Sequence, residues 1–347
     1  MDPTRHPIEK PCYIYRPSDA EMNPHGFVIG VDVGGTKIAA GLVDYEGKIL
    51  YSTRKPTNIS SPEASIKSIA TVVETVIAQS GVERKSIRGI GLGIPGLVDP
   101  ILGIGIASVN LQWRDVPVKA RLEDLLNLSC VIENDVRAAA MGEVCYGASV
   151  GVKNLIYLSI GTGIACGIIL EGKLYHGANG LAGEIGHAMI ELDGPLCKCG
   201  GYGCYEALAA GPAIAMTAIS RIHFHQDNLL SKLCEEKIEM LTTEMVFQAA
   251  GQGDPLAIET LDIISSYTAF VLQFLILAYD PQSVILGGGV PTTGSLFIEP
   301  VMRRLHKRAA ESWVLAKALK PGLVQLTSLG ENIGILGAAA LVSNLQG

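Results

Sequence analysis

The hydrophobic positions of the chain follow two spacings in turn. Short apolar runs bounded by glycine or polar residues, such as 28–33 and 155–160, predict buried strands. Elsewhere apolar residues recur every three or four positions, as over 64–81, which predicts an amphipathic helix that stops at Gly81. Strands that alternate with helices in this way are typical of layered α/β proteins.

The alternation continues towards the C-terminus. Further strands are predicted at 87–96, 130–135 and 283–290, and further helices at 136–147, 244–252, 256–279 and 296–312. The strand at 130–135 leads directly into the helix at 136–147. The polar residues at that junction therefore lie at the carboxyl end of a buried strand.

Two segments of the chain read alike. They are "VIGVDVGGTKIAAGLVDYEGKIL" (28–50) and "LIYLSIGTGIACGIILEGKLY" (155–175), and each predicts a strand, a glycine turn, a second strand, an "EGK" turn and a third strand. Gly34 corresponds to Gly161, and Gly41 to Gly167. Chance similarity of two glycine-rich hairpins is the alternative, but the shared order over more than twenty residues favours duplication. A duplicated unit predicts two related domains that face each other across a cleft.

Composition excludes several classes of protein. The chain has 347 residues, enough for two domains, and is 48% hydrophobic but only 5% aromatic. A formal net charge of −7 argues against a nucleic-acid binder, which would show a basic face. The apolar run at 269–279 is far shorter than the roughly 20 residues that span a bilayer, so no membrane insertion is expected.

The first 26 residues differ from the rest of the chain. They contain five prolines, scattered charges and no apolar run, which predicts a poorly ordered tail and no secretory signal. We therefore expect a cytoplasmic protein. In a reducing compartment, clustered cysteines are metal ligands more often than disulfide partners.

Three cysteines and a histidine form such a cluster. His187, Cys197, Cys199 and Cys204 have the spacing His-x₉-Cys-x-Cys-x₄-Cys, and a Cys₃His set suits tetrahedral Zn²⁺. No ligand position is left open, so the predicted zinc is structural. The other cysteines, except for Cys12 in the tail, are predicted to be buried thiols: Cys130, Cys145, Cys166 and Cys234. His223 and His225 are predicted to lie at a solvated helix end.

Three glycine turns each follow an apolar strand. Such turns expose backbone N–H groups that can cradle phosphate oxygens, although none matches a P-loop or a Rossmann fingerprint. Together they predict a nucleotide held across the cleft. Asp32 would hold Mg²⁺ through water, and Thr36, Lys37 and Thr162 would donate to phosphates. The predicted nucleotide contacts are Asp32, Gly34, Gly35, Thr36, Lys37, Gly161, Thr162, Gly163, Gly287, Gly288 and Gly289.

Six motifs carry a resemblance to a known family. "DVGGTK", "GIPGLVD", "ENDVRAAAMGE", "IGTGIACG", "GEIGH" and "CKCGGYGCYE" occur in the order seen in the ROK family of bacterial sugar kinases and repressors, within the actin/hexokinase superfamily. The chain resembles that family over about 27–340. The resemblance implies an α/β, two-domain, actin-like (ribonuclease-H-like) fold with a small zinc loop. We place the tail at 1–26, the smaller domain at 27–146 plus 333–347, and the larger domain at 147–332.

The resemblance also implies an activity, the ATP-dependent phosphorylation of a hexose hydroxyl. Asp135 in "END" would be the general base; the alternative is that Asp135 only caps a helix starting at 136. The implied sugar contacts are Gly96, Asn110, Asn134, Asp135, Glu184, His187 and Glu206. The zinc loop would brace Glu184 and Glu206, whereas Trp113 is expected to be a buried structural indole.

Other functions remain as alternatives. Glucose is the first choice of sugar, and N-acetylmannosamine, N-acetylglucosamine and fructose stay open because the same motifs serve them. A repressor would need an N-terminal helix-turn-helix, for which the tail is too short and too broken. A sugar-sensing regulator without turnover would keep the same binding residues. Ala165 and Cys166 stand where the family often has glycine, which puts the affinity for the nucleotide in question. Members of the family commonly form dimers or tetramers, so the resemblance implies a homodimer or homotetramer.

Overall fold

The computed structural model describes residues 26–222, 229–234 and 237–343. The predicted tail, apart from residue 26, lies outside these ranges, as do Cys12, His223 and His225. In chain order the strands are β1 (Phe27–Val33), β2 (Lys37–Val43), β3 (Ile49–Pro56), β4 (Ile87–Ile94), β5 (Leu97–Asp99), β6 (Ile104–Ser108), β7 (Trp113–Val116), β8 (Cys130–Asn134), β9 (Leu155–Ile160), β10 (Ile164–Leu170), β11 (Lys173–Leu174), β12 (Ser283–Gly287) and β13 (Val324–Leu326).

The helices fall between and after these strands. They are α1 (Pro62–Ser80), α2 (Val118–Leu126), α3 (Asp135–Tyr146), α4 (Tyr205–Ala209), α5 (Gly211–Ile222), α6 (Leu229–Leu233), α7 (Thr243–Gly251), α8 (Pro255–Tyr279), α9 (Ser295–Ala310), α10 (Trp313–Ala318) and α11 (Ile333–Ser343). The predicted long helices are present with bounds shifted by one or two residues. The predicted strand at 283–290 is shorter, because its last three residues form the glycine turn.

Two five-stranded mixed sheets have the same construction. The first has the order β3-β2-β1-β4-β8 and the second the order β11-β10-β9-β12-β13. In each sheet, the three strands named first form an antiparallel meander. The last two strands run parallel to the central strand, which is β1 in the first sheet and β9 in the second. The strands of the repeated segments occupy equivalent places, β1 to β3 in one sheet and β9 to β11 in the other.

Helices cover both faces of the first sheet. Ser61 caps α1 by accepting a 3.1 Å hydrogen bond from the Ala64 N–H, and Gly81 ends the helix in the left-handed conformation. On the other face α11 packs on β1 and β4. That approach is so close that a Cβ on Gly91 would collide with the Ala338 carbonyl. Glycine at this position lets the helix backbone rest on the sheet.

Helices α3 and α11 connect the two sheets. Helix α3 packs on α11 and also on β9 and β10 of the second sheet. Its Gly142 faces Gly337 of α11, where a Cβ would lie 2.9 Å from the Gly337 Cα. A crossing of small residues at this distance lets the two helices pass with little intervening side chain.

A third, three-stranded sheet has the order β5-β6-β7, and the sequence pattern does not predict it. Its strands have three to five residues and carry polar side chains, so their periodicity is too short to detect. The sheet brings Trp113 into the core of the first large sheet, where the indole is 3% exposed. Trp113 is therefore a core residue, as expected.

Helix α8 is longer than the apolar run at 269–279 from which membrane insertion was excluded. By length and composition it could cross a bilayer, and half of its most apolar 18-residue window is buried inside the protein. The apolar run at 269–279 is shorter than the helix, because polar residues such as Glu259, Asp262 and Ser265 interrupt the run without ending the helix. The core helix of a globular protein passes the same test. Leu272, Leu275 and Ile276 of α8 lie in the core of the second large sheet.

Candidate active site

Asp135 is the first residue of α3, directly after the buried strand β8. The helix is capped by Asn134, whose Oδ1 accepts hydrogen bonds of 3.0 Å from the Val136 N–H and 3.1 Å from the Arg137 N–H. The alternative that Asp135 is the cap of a helix starting at 136 is wrong, because Asn134 supplies the cap. Asn134 Nδ2 and the Val136 N–H both donate to Oδ1 of the Asp135 carboxylate, which leaves Oδ2 as the oxygen that can accept a proton.

The electrostatics around Asp135 favour a proton acceptor that works near neutral pH. Burial raises the pKa of Asp135 to about 6, and the negative charges of Asp32 and Glu184 add to this, whereas the Val136 N–H opposes it. Burial also raises the pKa of Asp32. A carboxylate with a pKa near 6 is ionised at neutral pH and is a stronger base than an ordinary aspartate.

Asn134 ties this junction to the turn at Gly96. Its Nδ2 donates a 3.1 Å hydrogen bond to the Gly96 carbonyl and a 3.0 Å hydrogen bond to Asp135 Oδ1. Gly96 has a φ of +100°, and a Cβ there would collide with the Ala107 carbonyl of β6. The structure therefore brings Gly96, Asn134 and Asp135 together. Within the described residues, the Asn134 amide uses both donors and both acceptor positions; its predicted sugar contact stays a prediction.

The first glycine turn lies between β1 and β2. The Gly34 N–H donates to the Lys37 carbonyl at 2.9 Å, which closes the turn, and the side chains of Thr36 and Lys37 are exposed. Asn110 approaches from the third sheet, since a Cβ on Gly35 would lie 2.8 Å from the Asn110 carbonyl oxygen. An implied sugar contact and a predicted phosphate contact are thus neighbours.

Asp32, at the end of β1, meets the amino end of α11. A Cβ on Gly334 would lie 2.5 Å from the Asp32 Cγ, so the carboxylate packs against the first turn of that helix. Lys37 and Arg54 are near enough for their charges to lower the pKa of Asp32 against the larger effect of burial. A helix N-terminus and two cations make this an environment for negative charge.

The second glycine turn lies between β9 and β10. The Gly161 N–H donates to the Gly163 carbonyl at 2.9 Å, and the Gly161 carbonyl accepts from the Gly211 N–H at 2.8 Å. Glu206 Oε2 accepts a 2.9 Å hydrogen bond from the Ile164 N–H directly after the turn. The structure therefore places Glu206 beside a predicted phosphate contact.

A cavity of about 440 Å³ opens beside this turn. Gly161, Thr162 and Gly289 of the predicted nucleotide contacts line it. Residues that sequence reasoning missed complete it, among them Gly211, Pro212, Ala215, Thr243, Glu244 and Phe247. The sequence signal at Thr242–Glu244 is that of a helix start only, and no short motif marks these positions as ligand contacts.

Gly287 and Gly288, in the third glycine turn, pack closely against β9. A Cβ on Gly287 would collide with the Tyr157 hydroxyl, and Gly288 has a φ of +88° against the Ile160 backbone. Neither residue lines the cavity, whereas Gly289 does. The nucleotide contact predicted for Gly287 and Gly288 stays a prediction.

The four predicted zinc ligands converge. Their ligand atoms all lie within 4.8 Å of one another, with His187 Nδ1 at 3.7 Å from Cys197 Sγ and Cys199 Sγ at 3.7 Å from Cys204 Sγ. A tetrahedral zinc with Zn–S bonds of ~2.3 Å requires ligand separations of about 3.8 Å. The three thiols and the imidazole therefore fit the ion in chemistry and in spacing. His187 presents Nδ1 to this cluster, which leaves Nε2 for another partner.

The segment that carries Glu184 and His187 lies against β10. The Gly183 carbonyl accepts a 2.7 Å hydrogen bond from the Cys166 N–H, and a Cβ on Gly183 would collide with the Cys166 carbonyl. Glu184 and His187 are both exposed. Burial raises the pKa of the Cys166 thiol to about 12, as it does for Cys130, so both behave as unreactive core thiols.

Comparisons with known proteins agree with this geometry. The model of the ROK family matches residues 28–344. A glucokinase from Streptomyces coelicolor is 37% identical over 319 residues, which cover 91% of this chain and 97% of that protein. A glucokinase from Halalkalibacterium halodurans is 34% identical over 320 residues, covering 92% and 95%. The crystal structure of a ROK family glucokinase from Streptomyces griseus in complex with glucose and AMPPNP matches with a TM-score of 0.78 at 34% identity, covering 91% of this chain and 99% of that one.

Proposed function

This chain belongs to the ROK family, and we propose that it is a sugar kinase that phosphorylates glucose with ATP to give glucose 6-phosphate. The observation that carries the proposal is the position of Asp135. Its carboxylate, with a pKa raised to about 6, starts α3 next to the Gly96 turn and within electrostatic range of Asp32 and Glu184. A relative 34% identical to this chain binds glucose and AMPPNP.

The proposed reaction is an in-line displacement at the γ-phosphorus. Asp135 Oδ2 accepts the proton of the sugar hydroxyl while the hydroxyl oxygen forms its bond to the γ-phosphorus. The bond between that phosphorus and the β,γ-bridging oxygen breaks, and ADP leaves. The glycine turns at 34–37 and 161–163 would donate backbone N–H groups other than those of Gly34 and Gly161, which close the turns, to the phosphates. Mg²⁺, when bound with ATP, would neutralise phosphate charge, and Asp32 would hold it through water.

The fold supports a two-domain, actin-like arrangement with the nucleotide between duplicated halves. The two sheets share strand order and direction, and α3 and α11 cross between them. We infer the boundaries expected from the sequence, with 27–146 plus 333–347 as one domain and 147–332 as the other. The cavity at the second glycine turn is the proposed adenosine pocket, because it adjoins two of the three glycine turns.

The cysteine cluster supports a structural zinc. When bound, the ion would be held by His187, Cys197, Cys199 and Cys204 and would brace the segments that carry Glu184 and Glu206. His187 Nε2 would then reach a sugar hydroxyl.

Exposed apolar side chains support an oligomer. Phe270, Phe274 and Leu277 of α8 are 41%, 58% and 42% exposed, and Trp313 of α10 is 78% exposed. Contiguous apolar surface on neighbouring helices is typical of protein–protein contacts. We infer that α8 and α10 form the interface of a homodimer or homotetramer.

Release of ADP tests the proposed activity. The purified protein, with Mg-ATP, would be given glucose, mannose, fructose, N-acetylmannosamine and N-acetylglucosamine in turn. We expect the highest kcat/KM with glucose, a loss of at least about a hundredfold in Asp135→Asn, and no change in Asp124→Asn, an exposed acid on α2. A higher kcat/KM for another sugar would reassign the substrate. No turnover with any sugar by folded protein would contradict a kinase and favour a sugar-binding regulator.

A further inference from the structure

A buried carboxylate two positions before the proposed general base makes three polar contacts. Glu133, at the end of β8, is 3% exposed; its Oε1 accepts hydrogen bonds of 2.8 Å from Arg137 Nε and 2.8 Å from the Asn134 N–H. Its Oε2 lies 2.6 Å from His176 Nε2. Burial alone would raise the pKa of Glu133, but the hydrogen bond from His176 and the charge of Arg137 hold it below its ordinary value.

Arg137 extends the contact in a second direction. Its side chain is 4% exposed, and while Nε bonds Glu133, Nη1 donates a 3.0 Å hydrogen bond to the Gly180 carbonyl. The planar guanidinium makes both bonds at once, which a lysine ammonium on a flexible stem cannot do in the same geometry. Arg137 therefore fixes a backbone atom relative to the start of α3.

The partners belong to the two different domains proposed above. Glu133 and Arg137 lie on β8 and α3, whereas His176 and Gly180 lie in the segment that follows β11 of the second sheet. That segment, 175–187, ends at Glu184 and His187, and we call it the acceptor loop. A Cβ on Gly180 would also lie 3.6 Å from the Leu97 Cδ1 of β5, so the acceptor loop meets the third sheet as well.

A buried ion pair is a costly way to stabilise a fold, since desolvation offsets much of its attraction. In some proteins such a pair is retained because it fixes one geometry. Here the geometry imposed is the distance between the acceptor loop and the β8–α3 junction, which carries Asn134 and Asp135. These are the two sides of the proposed sugar pocket.

We propose that Glu133, Arg137 and His176 form an interdomain clasp that positions the acceptor loop for the hexose and takes no part in nucleotide binding. The inference rests on the proposed function for its sugar. His176 is the removable arm, because its side chain is 36% exposed while Glu133 and Arg137 are buried. They are positioning residues, acting through Glu184, His187 and Asp135.

The test compares His176→Ala with a matched control, His306→Ala, an exposed histidine on α9 outside the clasp. We expect the hexose KM to rise about tenfold in His176→Ala, with the ATP KM within about twofold and the His306→Ala values unchanged. His176→Gln, which can still donate to Glu133, should recover part of the loss. An equal rise in both KM values, or none in either, would overturn the clasp.

Hydrogen exchange without any sugar gives a readout independent of activity. Amides of the acceptor loop should exchange at least about fivefold faster in His176→Ala, whereas those of β9 and β10 should keep their protection. Arg137→Lys should produce the same local pattern. If the wild-type protein phosphorylates no sugar, the proposed function fails while this measurement still tests the clasp. Unchanged exchange in the acceptor loop of both variants would overturn it.

Discussion

Glu206 Oε2 accepts a 2.9 Å hydrogen bond from the Ile164 N–H, so a carboxylate two positions after the last cysteine of the metal cluster is bound to the residue after the second glycine turn. The hydrogen bond joins three features that are separate in the sequence: the cysteine cluster, an implied sugar contact and a predicted phosphate turn. Displacement of the cysteine loop would therefore disturb the acceptor side and the nucleotide side of the cleft together.

Loss of one zinc ligand should act on the sugar site. Cys199→Ser should abolish stoichiometric zinc, lower the melting temperature and raise the hexose KM by at least about tenfold, because Glu184 and Glu206 lose their bracing. Metal analysis, thermal unfolding and steady-state kinetics measure these effects. Lys198→Ala, at the adjacent exposed position, should retain zinc and activity. Full activity of zinc-free protein would contradict a structural metal.

The pH dependence of kcat/KM should report the ionisation of Asp135. The carboxylate must be ionised to accept a proton, and its pKa is raised to about 6. We therefore expect kcat/KM to rise with pH through about 6 and to level off above 7. The residual activity of Asp135→Asn should lack this limb. An acidic limb near pH 4 would show that the environment of Asp135 does not raise its pKa.

The same shift predicts a stability gain in the inactive variant. Because the folded-state pKa of Asp135 lies above its ordinary value of 3.8, ionisation costs stability as pH rises from about 4 to about 6. Asp135→Asn should be more stable than the parent by about 1–2 kcal/mol at pH 8, and the difference should vanish near pH 4. Solvent screening of the Asp135 charge limits this gain in stability. Denaturant unfolding at the two pH values measures it. Equal stability at pH 8 would contradict a destabilising charge.

Filling the cavity beside the second glycine turn should block ATP. Ala215 lines the cavity and is 8% exposed, so Ala215→Phe places a ring in the proposed adenosine pocket. The ATP KM should rise at least about tenfold while glucose binding, measured by calorimetry without nucleotide, stays within about twofold. Met216→Phe, at a 62% exposed position on the same helix, is the matched control. An unchanged ATP KM in folded Ala215→Phe would place the nucleotide elsewhere.

A charge on the exposed face of α8 should dissociate the oligomer. Phe274 is 58% exposed, and Phe274→Glu should shift the mass measured by light scattering from that of a dimer or tetramer towards that of a monomer. Leu125→Glu, at a 53% exposed apolar position on α2, adds the same charge outside the inferred interface and is the matched control. A wild-type protein that is already monomeric at micromolar concentration would contradict the inferred interface.

Local features of the site were predictable from sequence. Each glycine turn directly follows an apolar strand along the chain, and Asp135 follows a buried strand. The Cys₃His spacing predicts a cluster of ligands, which the structure brings together. The duplicated segments predict two related domains, and the structure has two large sheets of the same strand order. These features depend on the fixed periods of strand and helix and on residues close in the chain.

Only the tertiary structure decided how the parts meet. Glu133 and His176 are 43 positions apart, yet their side chains are in hydrogen-bond contact, and no pattern near either residue predicts it. The third sheet escaped detection because its strands are too short for a period, and the proposed adenosine pocket combines Pro212, Thr243 and Gly289 from three separate segments. Strand and helix periods are set by the local backbone, so the sequence determined the elements and the turns. Contacts between distant segments depend on sheet order and helix crossing, which only the packing of the whole chain determines.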